Sequence, residues 1–262
     1  GKVFGFHRSM DTLGAVIGPS LALLYLYFYP QNYKTLFFIA FIPGLFAVLA
    51  ALRLKDKTAI EQKPKIKTSF FALFNYWKLS PADYKKLVTG LLIFALFNSS
   101  DVFLLLQAKQ AGLDDTMVIG LYIFYNLVYA LFAFPSAILA DRFGLKSTFI
   151  TGLALFACVY FGMAFSTHLY FFFGLFFLYG IYASATEGIS KAWVSNITSK
   201  KDTATAIGTF SGLQSICSML ASSLTGLIWF QFGATTVFIT TAVATVIVIL
   251  YFLSIPKPVC AA

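Results

Sequence analysis

The chain is 262 residues long, and 59% of its residues are hydrophobic while only 11% are charged. A soluble globular domain normally carries about a quarter charged residues, so this composition excludes that class and excludes a disordered chain as well. The formal net charge of +9 comes from lysines and arginines that lie in short gaps between long apolar runs. A nucleic-acid-binding module would instead gather them on one face of a folded domain, so this class is excluded. The mean hydropathy of +0.82 instead predicts an integral membrane protein.

Eight apolar runs in the sequence are long enough to form membrane-spanning α-helices. Such a helix needs about 20 residues to cross roughly 30 Å of hydrocarbon with every backbone group bonded internally. The predicted spans cover residues 12–29, 35–52, 87–106, 118–140, 147–166, 169–193, 207–230 and 235–255. The sequence therefore predicts an all-α integral membrane fold with eight transmembrane helices.

A long polar segment divides the chain into three parts. Residues 1–52 hold two spans, residues 53–86 form a basic connector, and residues 87–262 hold six spans. Four apolar residues of the connector follow helical spacing, namely Phe70, Leu73, Phe74 and Trp77. This spacing predicts an amphipathic helix that lies at the membrane interface and serves as a structural linker.

Lysine and arginine residues are distributed unevenly between the two sides that these spans define. Of the 19 basic residues, 16 fall on the side of both chain ends and the connector. Lys34 and Lys109 fall on the other side, and Lys191 falls within a span. The positive-inside rule predicts that both ends lie in the cytoplasm, so we expect a multi-pass protein of the plasma (inner) membrane.

A weak internal repeat relates the first span to the seventh. A shift of 203 residues aligns Gly5 with Gly208 and Ser20 with Ser223, and each copy leads from a turn into a helix rich in small residues. This arrangement is typical of transporters built from two homologous helical bundles joined by a connector. We therefore expect residues 1–52 to be the last two helices of the first bundle, with about four helices missing before them.

The loop between the fourth and fifth spans resembles the signature loop of the major facilitator superfamily. Residues 139–146 read Leu-Ala-Asp-Arg-Phe-Gly-Leu-Lys, and the pattern of that family is G-x-L-a-D-R-x-G-r-K. Two positions depart from the pattern, because Ala137 stands for the leading glycine and Leu145 replaces a basic residue. The resemblance implies a twelve-helix transporter fold, of which this chain corresponds to helices five to twelve.

The first span contains a second motif of the same family. Gly14, Gly18 and Pro19 resemble the start of the G-x-x-x-G-P motif of its antiporters, although Leu21 and Ala22 stand where the closing glycines would be. Close helix packing at the two glycines is the alternative interpretation. The resemblance also implies a secondary transporter that is a monomer at full length.

Ionisable side chains inside a hydrocarbon span are costly, so each one predicts a partner or a functional task. Asp101 and Asn98 share one face of the third span, and hydration at the outer interface is the alternative role for Asp101. Tyrosines at helical spacing predict contact with a solute, or else aromatic packing between helices. The candidates for proton coupling or solute contact are Asp101, Asn98, Glu187, Tyr125, Asn126, Tyr129, Tyr182 and Thr186.

A second group of residues predicts a gate on the cytoplasmic side. Its members are Asp141, Arg142, Gly144, Lys146 and Lys191. Lys191 follows Glu187 by four residues, a spacing that predicts an ion pair along one helix face. The resemblance implies that Asp141 docks on a helix of the other bundle, and we expect the contact at the start of the first span, near residues 11–14.

These features predict a secondary active transporter that moves a small organic solute by alternating access. Proton-coupled efflux by antiport is the favoured mode, with proton-coupled uptake by symport and a non-transporting sensor or scaffold as alternatives. The sequence contains no P-loop, H-E-x-x-H or G-x-S-x-G motif, and its three cysteines lack metal-ligand spacing. We therefore expect no enzymatic activity, cofactor, metal site or nucleic-acid partner.

Overall fold

The structure is a computed structural model, and it describes residues 2–53, 72–166 and 168–255. The regular elements of these residues are ten helices: α1 (Lys2–Phe28), α2 (Tyr33–Arg53), α3 (Ala72–Leu79), α4 (Ala82–Phe97), α5 (Val102–Gln110), α6 (Asp115–Phe143), α7 (Leu145–Met163), α8 (Leu169–Asn196), α9 (Thr203–Phe232) and α10 (Ala234–Ser254). With α4 and α5 counted as one span, eight of these segments are long and apolar enough to cross a membrane. The predicted all-α membrane fold with eight spans is confirmed.

The third span is interrupted, which the sequence analysis did not predict. We expected one helix over residues 87–106, but α4 ends at Phe97 and α5 begins at Val102. The N–H group of Ser100 donates to Ser222 Oγ of α9 at 3.2 Å. A backbone can leave the helix at membrane depth only where neighbouring protein groups bond it, and this serine is such a group.

The helices alternate in direction, so the basic turns gather at one end of the bundle. We call this the basic end; α2 finishes there at Arg53, and the α6–α7 turn carries Arg142 and Lys146 there. The opposite far end carries an ion pair between Lys109 and Asp115. The gathering of basic turns at one end agrees with the predicted topology, and the side of the membrane that this end faces stays a prediction.

Close backbone approach holds the bundle around α6 and α8. A Cβ placed on Gly180 of α8 would lie 2.8 Å from both the Tyr125 carbonyl oxygen and Val128 Cβ of α6. Small residues permit such approach between membrane helices, which compensates for the weak hydrophobic driving force in lipid. In contrast, α2 has no buried residue.

The predicted packing at Gly14 and Gly18 is not seen in the described part of the chain. No atom lies within 4 Å of a Cβ built on either glycine beyond its own helix backbone. Gly5 is the point at which α1 approaches α6, because a Cβ there would lie 2.5 Å from Ala137 Cβ. Gly18 and Pro19 instead line an apolar cavity of about 450 Å³.

The connector contains a helix, α3, where an amphipathic helix was predicted. The rings of Tyr76 and Trp77 lie 5.4 and 6.3 Å from the ring of Tyr84, so this helix packs on α4 as well as facing outward. Burial raises the pKa of the Tyr76 phenol above its ordinary value, and the nearby Asp202 carboxylate adds to that rise. Phe70 lies outside the described residues.

Candidate functional site

A polar cavity of about 920 Å³ lies between α1, the α4–α5 break and the helices α6, α8 and α9. This volume is within the range of small-molecule binding sites. The charged side chains that line it are Arg8, Asp11, Asp101, Glu187 and Lys191. Three carboxylates thus face two cations, which gives the lining a small excess of negative charge.

Two tyrosines of α6 each hold a carboxylate of another segment. The Tyr125 hydroxyl donates to Asp101 Oδ2 at the break between α4 and α5. The Tyr129 hydroxyl donates to Glu187 Oε2 of α8 at 2.9 Å. Residues four apart on a helix are separated by about 6 Å along its axis, so α6 presents the two carboxylates one turn apart.

Arg8 of α1 joins the second of these pairs. Its guanidinium forms an ion pair with Glu187 and donates from Nε to the Tyr129 hydroxyl at 2.6 Å. The same group contacts Asp11 Oδ2 at 3.0 Å and lies 5.7 Å from the centroid of the Tyr129 ring. A single guanidinium therefore ties α1 to both α6 and α8.

The structure pairs Glu187 differently from the sequence prediction. Among the described residues, Glu187 forms its ion pair with Arg8 rather than with Lys191, although Lys191 also lines the cavity. The guanidinium of arginine carries several N–H donors in one plane, so it can bind a carboxylate and a tyrosine hydroxyl at the same time. The i, i+4 spacing of Glu187 and Lys191 permits a pair but does not require one.

Six of the eight predicted coupling or solute candidates line the cavity: Asp101, Asn98, Glu187, Tyr125, Asn126 and Tyr129. Asn126 is buried, and its amide donates to the Tyr122 carbonyl at 2.9 Å. These side chains come from the α4–α5 break, α6 and α8. The geometry brings them together, and their role in transport stays a prediction.

Tyr182 and Thr186 are the two candidates that the structure does not bring into the cavity. Tyr182 is buried, and its ring centroid lies 4.6 Å from that of Phe156 in α7. The Thr186 hydroxyl donates to the Tyr182 carbonyl at 2.9 Å within the same helix. The cavity side of α8 carries Tyr179 and Glu187 instead, so the sequence prediction took in residues from a neighbouring face.

Sequence reasoning missed Arg8 as a cavity residue because the first span was expected to begin at residue 12. It also missed Ser218 and Ser222, which line the cavity from α9 together with Gln214. These three polar residues recur every four positions along α9, a spacing that was visible in the sequence.

The predicted gate residues of the signature loop lie at the basic end. Gly144 alone joins α6 to α7, with φ at +97°, a backbone conformation that favours glycine. Lys146 Nζ donates to the Ile255 carbonyl just beyond α10. The Arg142 guanidinium lies 5.5 Å from the centroid of the Phe143 ring.

The expected docking point of Asp141 is displaced by the register of α1 on α6. Gly5 lies against Ala137, so Asp141, one turn further along α6, lies beside the first turn of α1. Arg8 and the adjacent Asp11 lie at Tyr129, which is about 18 Å from Asp141 along the axis of α6. Residues 11–14 are therefore not the neighbours of Asp141, and its docking at the start of the first span stays a prediction.

Eight apolar helical spans, five of which line a solute-sized polar cavity, define a multi-pass helical membrane protein. The sequence model of the Major Facilitator Superfamily matches residues 87–259. An uncharacterized MFS-type transporter of Methanocaldococcus jannaschii is 32% identical over 235 residues, which cover 87% of this chain and 58% of that protein. The chain belongs to the major facilitator superfamily, as its signature loop predicted, and it spans 58% of the length of that relative.

Proposed function

We propose that the full-length protein is a secondary transporter that moves a small organic solute by alternating access, with proton-coupled efflux by antiport as its mode. The polar cavity carries this proposal, because transporters of two-bundle design bind their solutes between the bundles. The proposal assigns the protein no enzymatic activity, resident cofactor or nucleic-acid partner. It takes the full-length form to be a monomer in the lipid bilayer.

The proposal divides the described helices between two bundles. In it, α1 and α2 belong to the first bundle, and the six spans from α4 to α10 form the second. The absence of buried residues from α2 supports this division, because such an apolar helix has a face available for further helices or lipid. The cavity then lies at the boundary of the bundles, with its basic end toward the cytoplasm.

Asp101 and Glu187 are the proposed proton carriers. Each accepts a hydrogen bond from a neutral tyrosine hydroxyl and lines a cavity that a solute or water can enter. Protonation of Glu187 removes the charge that attracts Arg8, and it thereby weakens the ion pair between α1 and α8. Proton uptake at this carboxylate is coupled in this way to separation of the two bundles.

The cavity chemistry favours an organic cation as the first probe. Its lining has three carboxylates against two cations, and this excess of negative charge attracts a cation. We would reconstitute the full-length protein in liposomes that contain a pH-sensitive dye, and measure ethidium flux together with the pH change. Asp101→Asn and Glu187→Gln should each abolish the pH change that accompanies ethidium movement.

Asp115→Asn is the matched control, since Asp115 pairs with Lys109 at the far end and does not line the cavity. It should transport ethidium at the wild-type rate with the wild-type proton ratio. If the two cavity variants also kept that rate and ratio, Asp101 and Glu187 would not be the coupling residues.

The same assay separates antiport from symport by the sign of the pH change. When ethidium enters the vesicles down its gradient, an antiporter exports protons and the lumenal pH rises, whereas a symporter lowers it. A sensor that binds without translocation would retain equilibrium ethidium binding and show no counterflow of labelled ethidium.

A further inference from the structure

Three buried oxygen atoms, two in the break between α4 and α5 and one on the adjoining helix α7, make no hydrogen bond of good geometry within the described part of the chain. They are Asn98 Oδ1, Ser99 Oγ and the Tyr160 hydroxyl. Ser99 is 5% exposed, and Tyr160 of α7 is fully buried. Native proteins pair the great majority of their buried polar atoms, so three neighbouring exceptions call for an explanation.

These atoms belong to one cluster that communicates with the polar cavity. Asn98 and Ser99 are consecutive residues of the break, and the Tyr160 hydroxyl lies beside Ser99. The Tyr182 hydroxyl lies beside Asn98 on the other side of the cluster. Asn98 and Ser99 also line the cavity, which gives a small ligand a route to the cluster.

The electrostatic environment of the break favours a cation. The carboxyl-terminal end of α4 carries the negative end of its helix dipole, and its last carbonyl groups lack helical donors. In a continuous helix the Ser100 N–H group would donate to the Leu96 carbonyl, but here it donates to Ser222 Oγ. Asp101 adds a formal negative charge at the start of α5, where it offsets the positive end of that helix.

We propose that the break binds a monovalent cation the size of sodium, with Asn98 Oδ1, Ser99 Oγ and the Tyr160 hydroxyl as side-chain ligands. Neutral oxygens beside one carboxylate suit a hard monovalent ion, whereas calcium sites employ several carboxylates and zinc sites employ nitrogen and sulfur. The sequence predicted no metal site because its cysteines and histidines lack the spacing of metal ligands. Neutral oxygens that a helix break and a distant helix bring together leave no such pattern.

This cation site goes beyond the proposed function and does not depend on it. A bound ion would satisfy the buried oxygens and hold the break in place whether or not the ion is transported. Binding measurements on the full-length protein therefore test the site separately from any transport measurement.

The test compares sodium chloride with choline chloride at constant ionic strength. Sodium should raise the thermal unfolding temperature of the purified full-length protein by several degrees, with saturable binding of radioactive sodium in the millimolar range. Ser99→Ala and Tyr160→Phe should each weaken sodium binding by about tenfold or more, because each removes one ligand oxygen. If Ser99→Ala fails to fold, the conservative Tyr160→Phe variant decides the question.

Each of these variants has a matched control in the same bundle. Ser166 is 5% exposed like Ser99, but its hydroxyl already donates to the Gly162 carbonyl at 2.6 Å. Tyr84 is fully buried like Tyr160, and its hydroxyl donates to the Ala206 carbonyl at 2.8 Å. Ser166→Ala and Tyr84→Phe should therefore keep the sodium affinity of the wild type.

Three results would overturn the site. The first is a wild-type protein that neither binds sodium nor gains thermal stability from it. The second is an equal gain from sodium, potassium and choline, which would reflect ionic strength alone. The third is an equal loss of sodium binding in the ligand variants and their controls. Sodium binding without any ethidium flux would support the site and count against ethidium as a transported solute.

Discussion

The ion pair between Arg8 and Glu187 ties α1 to α8, and a double-mutant cycle measures how strongly it does so. Arg8→Gln and Glu187→Gln each remove one charge and keep a polar side chain of comparable length. The coupling free energy is the part of the combined effect that the two single variants do not explain by addition. We expect this coupling to oppose the separation of the two helices on the basic side of the cavity.

The magnitude follows from the exposure of the two side chains, which is 35% for Arg8 and 40% for Glu187. A surface ion pair contributes about 0.2–1 kcal/mol, whereas breaking a fully buried one costs about 3–5 kcal/mol. The bond from Arg8 Nε to the Tyr129 hydroxyl holds the guanidinium in place and lowers the entropy cost of pairing. We therefore expect a coupling of about 1–2 kcal/mol, which changes an equilibrium by roughly 5–30-fold.

The assay measures how often the cavity opens toward the basic end. A cysteine placed at Ser218, which lines the cavity from α9, is labelled in a cysteine-free background by an impermeant maleimide added on that side. Each single variant should raise the labelled fraction relative to the unlabelled one by roughly 5–30-fold. The double variant should raise it no further, because the first substitution has already removed the pair.

The ion pair between Lys109 and Asp115 at the far end provides the control cycle. Its side chains are 56% and 77% exposed, so Lys109→Gln and Asp115→Asn should change labelling by less than about twofold. The reasoning is refuted if the Arg8 and Glu187 effects simply add, or if the control cycle yields an equal coupling.

Two glycine substitutions test the backbone geometry of the bundle through thermal unfolding. Gly144→Ala should lower the stability by about 1–3 kcal/mol, because the φ of +97° at this joint strains any residue with a Cβ. Gly180→Ala should lower it by about 1–3 kcal/mol as well, because the new methyl group would lie 2.8 Å from the Tyr125 carbonyl oxygen and Val128 Cβ. Gly174→Ala serves as the control for both, since nothing lies within 4 Å of its Cβ position, and an equal loss there would contradict the two assignments.

The spans themselves followed from the sequence because bilayer thickness fixes the length of an apolar helix. The last span was predicted over residues 235–255, and α10 covers Ala234–Ser254. The break at residues 98–101 was not predictable in this way, since a window of about 20 residues averages four polar positions into an apolar run. The hydroxyl that receives the Ser100 amide belongs to Ser222, which is 122 residues away along the chain.

Most candidate residues of the cavity could also be predicted, because a polar group at membrane depth stands out against an apolar helix. The hydrogen-bond and ion-pair partners of these residues could not be predicted. Glu187 was expected to pair within its own helix, whereas the structure pairs it with Arg8 on α1. Tyr182 is three residues from Tyr179 on α8, and only the packing of α7 shows that its ring lies against Phe156 and does not line the cavity.

The single residue between α6 and α7 has a mechanical consequence. One residue spans only about 3.8 Å, so Gly144 connects the two long helices α6 and α7 without any spare length of chain. The helix α6 carries Tyr125 and Tyr129, and the first turn of α7 carries Lys146, whose ammonium group donates to the Ile255 carbonyl just beyond α10. A tilt of α6 that changes the distance between the two tyrosine-bound carboxylates must therefore move α7 as well. A local rearrangement at the cavity is in this way transmitted to the basic end of the bundle.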